Sequence, residues 1–207
     1  MHDNFNNDSL GTCILISILA CISIVALYFI TYNEPKDYYA KYRERYNNSE
    51  GFSITSPAFT QGANIPDKYT CVGDIAGKNF KIPIQILDPP FGTKSFALVM
   101  SDSDASNFIH WIVWNIKPNT QFFDGSNEDF NVGYNSTDQE TYKGPCPLAG
   151  SHRYFITVYA LDALLDLSKY KKVTEPILLQ EMKNHILGTS QLFGYYEKES
   201  NVKTNKA

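Results

Sequence analysis

The stretch that decides the reading is Gly144-Pro145-Cys146-Pro147-Leu148-Ala149-Gly150-Ser151-His152-Arg153-Tyr154. Gly and Pro fix the path of a loop and leave backbone N–H groups facing a concavity, which is an anion-accepting arrangement. Arg153–Leu161 then alternates, with Tyr154, Ile156, Val158 and Ala160 on one face, so it reads as a strand. His152 and Tyr154 share that face and form the rim of a pocket.

Working outward, the apolar run Phe96–Met100 ends in Ser101-Asp102-Ser103-Asp104-Ala105-Ser106, with His110-Trp111 close behind. A buried strand emerging into a loop would set Asp102 and Asp104 near the same rim. Phe52–Ile54, Ile82–Leu87 and His110–Ile116 are further strands, rich in β-branched and aromatic residues and separated by Gly, Pro, Asn or Asp. One helix is predicted late, capped by Thr174, with Pro176 in its first turn, Ile177, Leu178, Met182 and Ile186 on one side, and Gly188 as its stop. A shorter turn falls at Leu164–Leu167. Strands followed by a helix predict a mainly β fold, a sandwich or large antiparallel sheet with peripheral helices.

Together these segments resemble the phosphatidylethanolamine-binding protein family in its bacterial and archaeal form. The resemblance rests on the paired acids, His110-Trp111, the Gly-Pro-Cys-Pro loop and the His-Arg-Tyr strand. Ser56-Pro57-Ala58-Phe59, Ile65-Pro66-Asp67-Lys68-Tyr69-Thr70-Cys71 and Gly92-Thr93-Lys94-Ser95 follow in the family's order, so it spans roughly residues 52 to 196. It implies a Greek-key β-sandwich and a ligand-binding set of Asp102, Asp104, His110, Gly144, Pro145, His152 and Tyr154. It also implies a small anionic ligand or phospholipid headgroup, and a protein kinase or protease as regulated partner. Three departures stand out. Ser103 and Ser106 replace prolines of the acidic motif, Leu148 replaces the second proline of Gly-Pro-Cys-Pro-Pro, and only Pro83 and Ile84 resemble an expected Ser-Pro-Pro-Leu-x-Trp segment.

The site chemistry follows from donors and acceptors. Loop N–H groups near Gly144, the imidazoles of His110 and His152, and the Tyr154 phenol supply donors for a phosphate-like group, without Lys or Arg. Asp102 and Asp104 repel a dianion, so their role is to accept from an imidazole N–H and fix its tautomer, or to meet a ligand ammonium. Anion binding should then weaken between about pH 5.5 and 8 as histidine loses its proton. Taken singly, His110 reads as a structural residue. Trp111 and Trp114 are expected in the core, Arg153 as an ion-pair partner on the opposite strand face, and His185 at the helix C-terminus. The alternative function is a hydrolase using His152 or His110 with Asp102, for which Cys146 is the best nucleophile, yet no Gly-x-Ser-x-Gly elbow is present. A binding module is the reading preferred over an enzyme, with no cofactor and no metal.

The rest of the chain sets the context. Its 207 residues carry a formal net charge of −4, with Lys and Arg scattered, which argues against nucleic acid. Cys13–Ile30 contains no charge and would reach roughly 27 Å as a helix, enough for a single-pass anchor, with a cleaved signal peptide as the alternative reading. The predicted order is therefore a tail at 1–12, a transmembrane helix at 13–30, a polar Tyr-rich linker at 31–50, the domain at 51–198 and a disordered tail at 199–207. Lys36, Lys41, Arg43 and Arg45 follow the apolar segment, so the positive-inside rule favours a cytoplasmic domain. Cys71 and Cys146 would bridge in an oxidising compartment, closing a loop of about 75 residues, and stay free thiols in the cytoplasm. The sequons at Asn7, Asn47 and Asn135 matter only in a secretory setting.

Overall fold

Alternating apolar side chains need a second layer to cover them, and here two antiparallel sheets supply it to one another. The computed structural model of the chain describes residues 51–74, 79–126 and 129–198. The tails, the apolar segment 13–30 and the linker 31–50 lie outside the described residues, as do the sequons at Asn7 and Asn47. Among the described residues, no helix is long and apolar enough to cross a membrane.

The smaller sheet has the order β1-β2-β5, from Ser53–Thr55, Ile84–Leu87 and Phe122–Phe123. The larger has the order β6-β4-β3-β7-β8, from Asn131–Val132, Phe108–Ile116, Ser95–Asp102, Ser151–Leu161 and Ile186–Glu197. All these neighbours pair antiparallel. Ile54, Ile84, Ile86 and Phe123 pack against Phe96, Leu98, Met100, Trp111, Ile156 and Val158 to form the core between the sheets.

The large sheet is covered on its other face as well. There Ala97, Val99, Ile112, Trp114 and Tyr159 meet Leu165, Leu167 and Val173 of the following loop, and Leu178, Leu179 and Met182 of helix α1 (Glu175–Met182). This double cover is why all eight residues of β3 are buried, and why its sequence reads as a continuous apolar run instead of an alternation. Trp111 and Trp114 belong to opposite layers, as their three-residue separation across a bulged strand permits.

Two expectations need correcting here. Helix α1 ends at Met182, and Thr174 occupies its N-cap position without a capping side-chain bond. Ile186 and Gly188, assigned above to the helix and its stop, instead open β8, the longest strand of the domain, which pairs with β7 along its whole length. Glycine hid this strand. A Cβ at Gly194 would lie 2.7 Å from Phe59 and 2.9 Å from Ile65, so the inward position tolerates no side chain and carries no apolar signal. The segment Leu164–Leu167 forms no helical turn.

Residues 62–65 run along the outer side of β8. Gly62 N–H donates to Phe193 O at 2.8 Å, Tyr195 N–H to Ala63 O at 3.0 Å, and Ile65 N–H to Tyr195 O at 2.7 Å. The third sequon is structural, since the Asn135 carboxamide is buried, donating to Thr141 O and accepting from the Thr137 N–H and hydroxyl.

Candidate functional site: a cleft at one end of the large sheet

Three adjacent strands converge at one end of the large sheet. Asp102, the last residue of β3, pairs with Phe108 at the start of β4 and with Tyr154 near the start of β7. The loop from Tyr142 to Gly150 crosses above them. Between loop and strands lies a cleft of about 510 Å³, within the usual range for small-ligand sites. Asp102, His110, His152, Tyr154 and Gly144 of the expected set line it; Asp104 and Pro145 do not.

Asp102 is buried and fully engaged. Its Oδ1 accepts from the backbone N–H groups of Asp104 (2.9 Å) and Ala105 (3.2 Å), a side-chain-closed turn that shapes the loop. Its Oδ2 accepts from His152 Nδ1–H at 2.7 Å. That bond fixes the tautomer, leaving His152 Nε2 as a lone pair when the ring is neutral and as an N–H donor when it is protonated. Buried and already accepting three hydrogen bonds, Asp102 is poorly placed to meet a ligand ammonium. Asp104 is exposed outside the cleft, where its Oδ2 accepts the Arg153 N–H at 2.7 Å and ties the loop to β7.

His110 has a different environment, created by a fault in the ladder. Met100 pairs with Trp111 and Ser101 with Ile109, so His110 is the extra residue of a β-bulge and its bonds turn away from β3. Its carbonyl accepts the Lys143 N–H at 2.9 Å, and its Nδ1–H donates to the Lys143 carbonyl at 2.7 Å. Burial pushes the imidazole down to about 4, against the raising effect of that backbone bond. His110 is therefore neutral at physiological pH with Nε2 as an acceptor, which corrects the expectation that it donates to an anion.

Tyr154 stands between the two histidines, its ring centroid 5.2 Å from that of His110 and 6.4 Å from that of His152. Its buried hydroxyl makes no hydrogen bond of good geometry. Burial first, and then the Asp102 carboxylate, push the phenol far above its usual range, so it stays a donor. The ring of Tyr154 lines the cleft, while its hydroxyl is buried on the Asp102 side.

The loop opposite is tied down from behind. Cys71 and Cys146 form a disulfide with a Cα–Cα distance of 5.4 Å, the bridged one of the two states left open by the sequence, and this removes Cys146 as a nucleophile. Cys71 N–H donates to Pro145 O at 3.0 Å, so Pro145 faces the disulfide turn instead of the ligand. A Cβ on Gly144 would lie 2.8 Å from the Thr70 carbonyl carbon, which is why glycine stands there.

Sequence reasoning missed the remainder of the lining. Ala105, Phe108, Cys146, Pro147, Leu148 and Ala149 make the cleft largely apolar, and Lys143 brings a cation where none was expected. The position directly before the Gly-Pro turn was the available signal for Lys143. Arg153 lies on the opposite face as expected; its guanidinium stacks 5.0 Å from the centre of the Phe155 ring, and among the described residues it has no ion-pair partner. His185 pairs with Asp162 at 2.8 Å, beyond the helix end.

The family profile described as phosphatidylethanolamine-binding protein matches residues 55–197. The chain belongs to this family. A UPF0098 protein of Chlamydia pneumoniae is 38% identical over 154 residues, covering 70% of this chain and 98% of the relative. Among solved structures, the phosphatidylethanolamine-binding protein homologue CT736 of Chlamydia trachomatis superposes with a TM-score of 0.65 at 34% identity, over 72% of this chain and 98% of that one. A carboxypeptidase Y inhibitor, solved in complex with its cognate proteinase, has a TM-score of 0.50 at 20% identity over 80% of this chain and 95% of its own, a likeness in fold alone. Ser106, one of the serines set above against expected prolines, takes φ 54°, a value the proline ring forbids.

Proposed function

We propose that this chain is a membrane-anchored binding module whose cleft holds a phosphate-bearing group attached to an apolar body. The observation that carries the reading is the Asp102–His152 pair, set beside Tyr154 and Lys143 in a cleft whose remaining wall is largely apolar. Tyr154 donates to the ligand's oxygens, His152 Nε2–H donates when the ring is protonated, and Lys143 supplies the charge. Phe108, Pro147 and Leu148 cover the apolar part. Asp102 orients His152 and does not touch the ligand.

Cys13–Ile30 provides the anchor in this reading, with 31–50 as its linker and 51–198 as the ligand-binding domain. The disulfide favours an oxidising compartment over the cytoplasmic placement suggested by Lys36, Lys41, Arg43 and Arg45, because a thiol-reducing cytosol would open it. A proteinase is the regulated partner to test before a kinase, since an inhibitor of one shares the fold. The hydrolase reading retains its oriented histidine but has no ready nucleophile in the cleft, where Cys146 is bridged and the Thr137 hydroxyl donates to Asn135 at 2.7 Å.

Titration calorimetry with inorganic phosphate, phosphoethanolamine and phosphotyrosine tests the proposal. Binding that weakens at least about tenfold in His152→Ala and in Lys143→Met supports it, one charged hydrogen bond being worth about 1.5–3 kcal/mol. Binding indifferent to both substitutions overturns it, and turnover of a phosphomonoester abolished by His152→Ala would establish the enzyme instead.

A further inference from the structure

The end of the sandwich remote from the cleft has an unusual surface. Leu87 at the end of β2, Phe91 in the loop to β3, and Leu164 just beyond β7 are exposed by 43%, 104% and 68%. Strand pairing brings them to one end. Ser95 opens β3 opposite Leu161, which closes β7, and its hydroxyl donates to Ala163 O at 2.5 Å. Phe91 is held outward by a tight turn, in which Thr93 N–H and Oγ1 both bond Pro90 O, at 3.2 and 2.6 Å, and Gly92 takes φ 87°.

Single exposed apolar residues need no explanation, but three at one end, led by a fully exposed aromatic on a rigid turn, mark a contact surface. The chain enters the sandwich at this same end. Ser53 pairs with Leu87, and a Cβ on Gly51 would lie 3.5 Å from Asp88. The uncharged stretch Cys13–Ile30 precedes that entry point. Local charges are mixed, with Lys94 and Asp88 in the β2–β3 connection, Asp162 paired with His185, and Asp166 and Lys171 in the pocket that Leu164 lines. The patch therefore lacks the basic bias of a site for anionic lipid. Aromatic side chains on an exposed turn partition into the headgroup region of a neutral bilayer.

We infer that this end, tipped by Phe91, is a lipid-contacting surface that seats on the bilayer, so that the cleft opens away from that membrane. The inference rests on the anchored reading above. Asp102 lies seven residues along β3 from Ser95, about 23 Å at strand rise, beyond the reach of a headgroup in the same leaflet. The ligand then comes from the aqueous side or from a facing partner. The tether does not impose this by itself, since twenty residues from Thr31 to Glu50 span up to about 70 Å when extended. Phe91 decides it.

The full chain reconstituted in phosphatidylcholine vesicles containing brominated lipid tests the orientation. Tryptophan is introduced separately as Phe91→Trp and Leu148→Trp, both at fully exposed positions, and the emission of the parent chain is subtracted. The inference expects the added emission of F91W to shift to the blue and to be lost to the bromine, while that of L148W stays water-exposed and unquenched. Quenching of L148W, or an unquenched F91W in chain that floats with the vesicles, overturns the orientation and leaves the anchor standing. Chain that fails to float overturns the anchor and this inference with it.

Discussion

The two walls of the cleft are built on different principles. The strand wall carries Asp102, His110, His152 and Tyr154 on three hydrogen-bonded strands, where ladder register sets each side chain and the only local freedom is the bulge at His110. The loop wall, Lys143 to Ala149, has no regular structure and keeps its shape through the disulfide, the Cys71–Pro145 bond and the two bonds between Lys143 and His110. The ionisable groups of the cleft other than Lys143 thus stand on hydrogen-bonded strands, and the facing wall is a segment that a few bonds hold in place.

The largest effect should come from releasing the loop wall. The double change Cys71→Ser and Cys146→Ser frees a closed loop of 75 residues and should lower unfolding stability by about 4 kcal/mol in guanidinium titrations. Phosphate binding should weaken with it, and unchanged affinity would break the contrast between the walls.

Acid probes the strand wall. His110 is held near 4 in the fold against about 6.5 unfolded, so the native state binds fewer protons between those values. Its contribution is fully present above the unfolded value and is lost as pH falls towards 4, by at most about 3 kcal/mol. Unfolding curves at stepped pH should show the decline, and His110→Gln should flatten it. A smaller effect of opposite kind is expected for Tyr154→Phe. Removing a buried hydroxyl that makes no hydrogen bond of good geometry should leave stability unchanged or raise it by up to about 1 kcal/mol, while ligand affinity falls. A hydroxyl bonded only within the fold would give the reverse pattern. The smallest shift belongs to Leu148→Ser, which should move stability by less than about 0.5 kcal/mol because the side chain is exposed, yet weaken ligands with an apolar tail selectively over inorganic phosphate.

The strands that build the rigid wall were legible in the chain because their β-branched and aromatic runs are long, and because Asp102, His110, His152 and Tyr154 lie at or near strand ends that meet. What stayed hidden has local causes. β8 could not be read because Gly194 replaces an inward apolar residue under Phe59 and Ile65. Asp104 looks equivalent to Asp102 by spacing, but the turn closed by Asp102 Oδ1 swings it outward to Arg153. The neutral state of His110 depends on a bulge that no single strand reveals, and Lys143 joins the cleft only through that bulge. The bridge between Cys71 and Cys146 could not be chosen from the sequence, because two cysteines 75 residues apart show their closeness only once the fold brings them together.

The segment 62–65 laid along β8 has a further consequence. A twelve-residue strand with an open side would present a row of unpaired amides and carbonyls to any second chain, inviting sheet-to-sheet extension and aggregation. By occupying the groups of Phe193 and Tyr195, this short stretch blocks the C-terminal part of that template, while the opposite border of the sheet ends in β6, two residues long. Removing the Gly62 turn should therefore show itself as self-association at high concentration before it shows as loss of the fold.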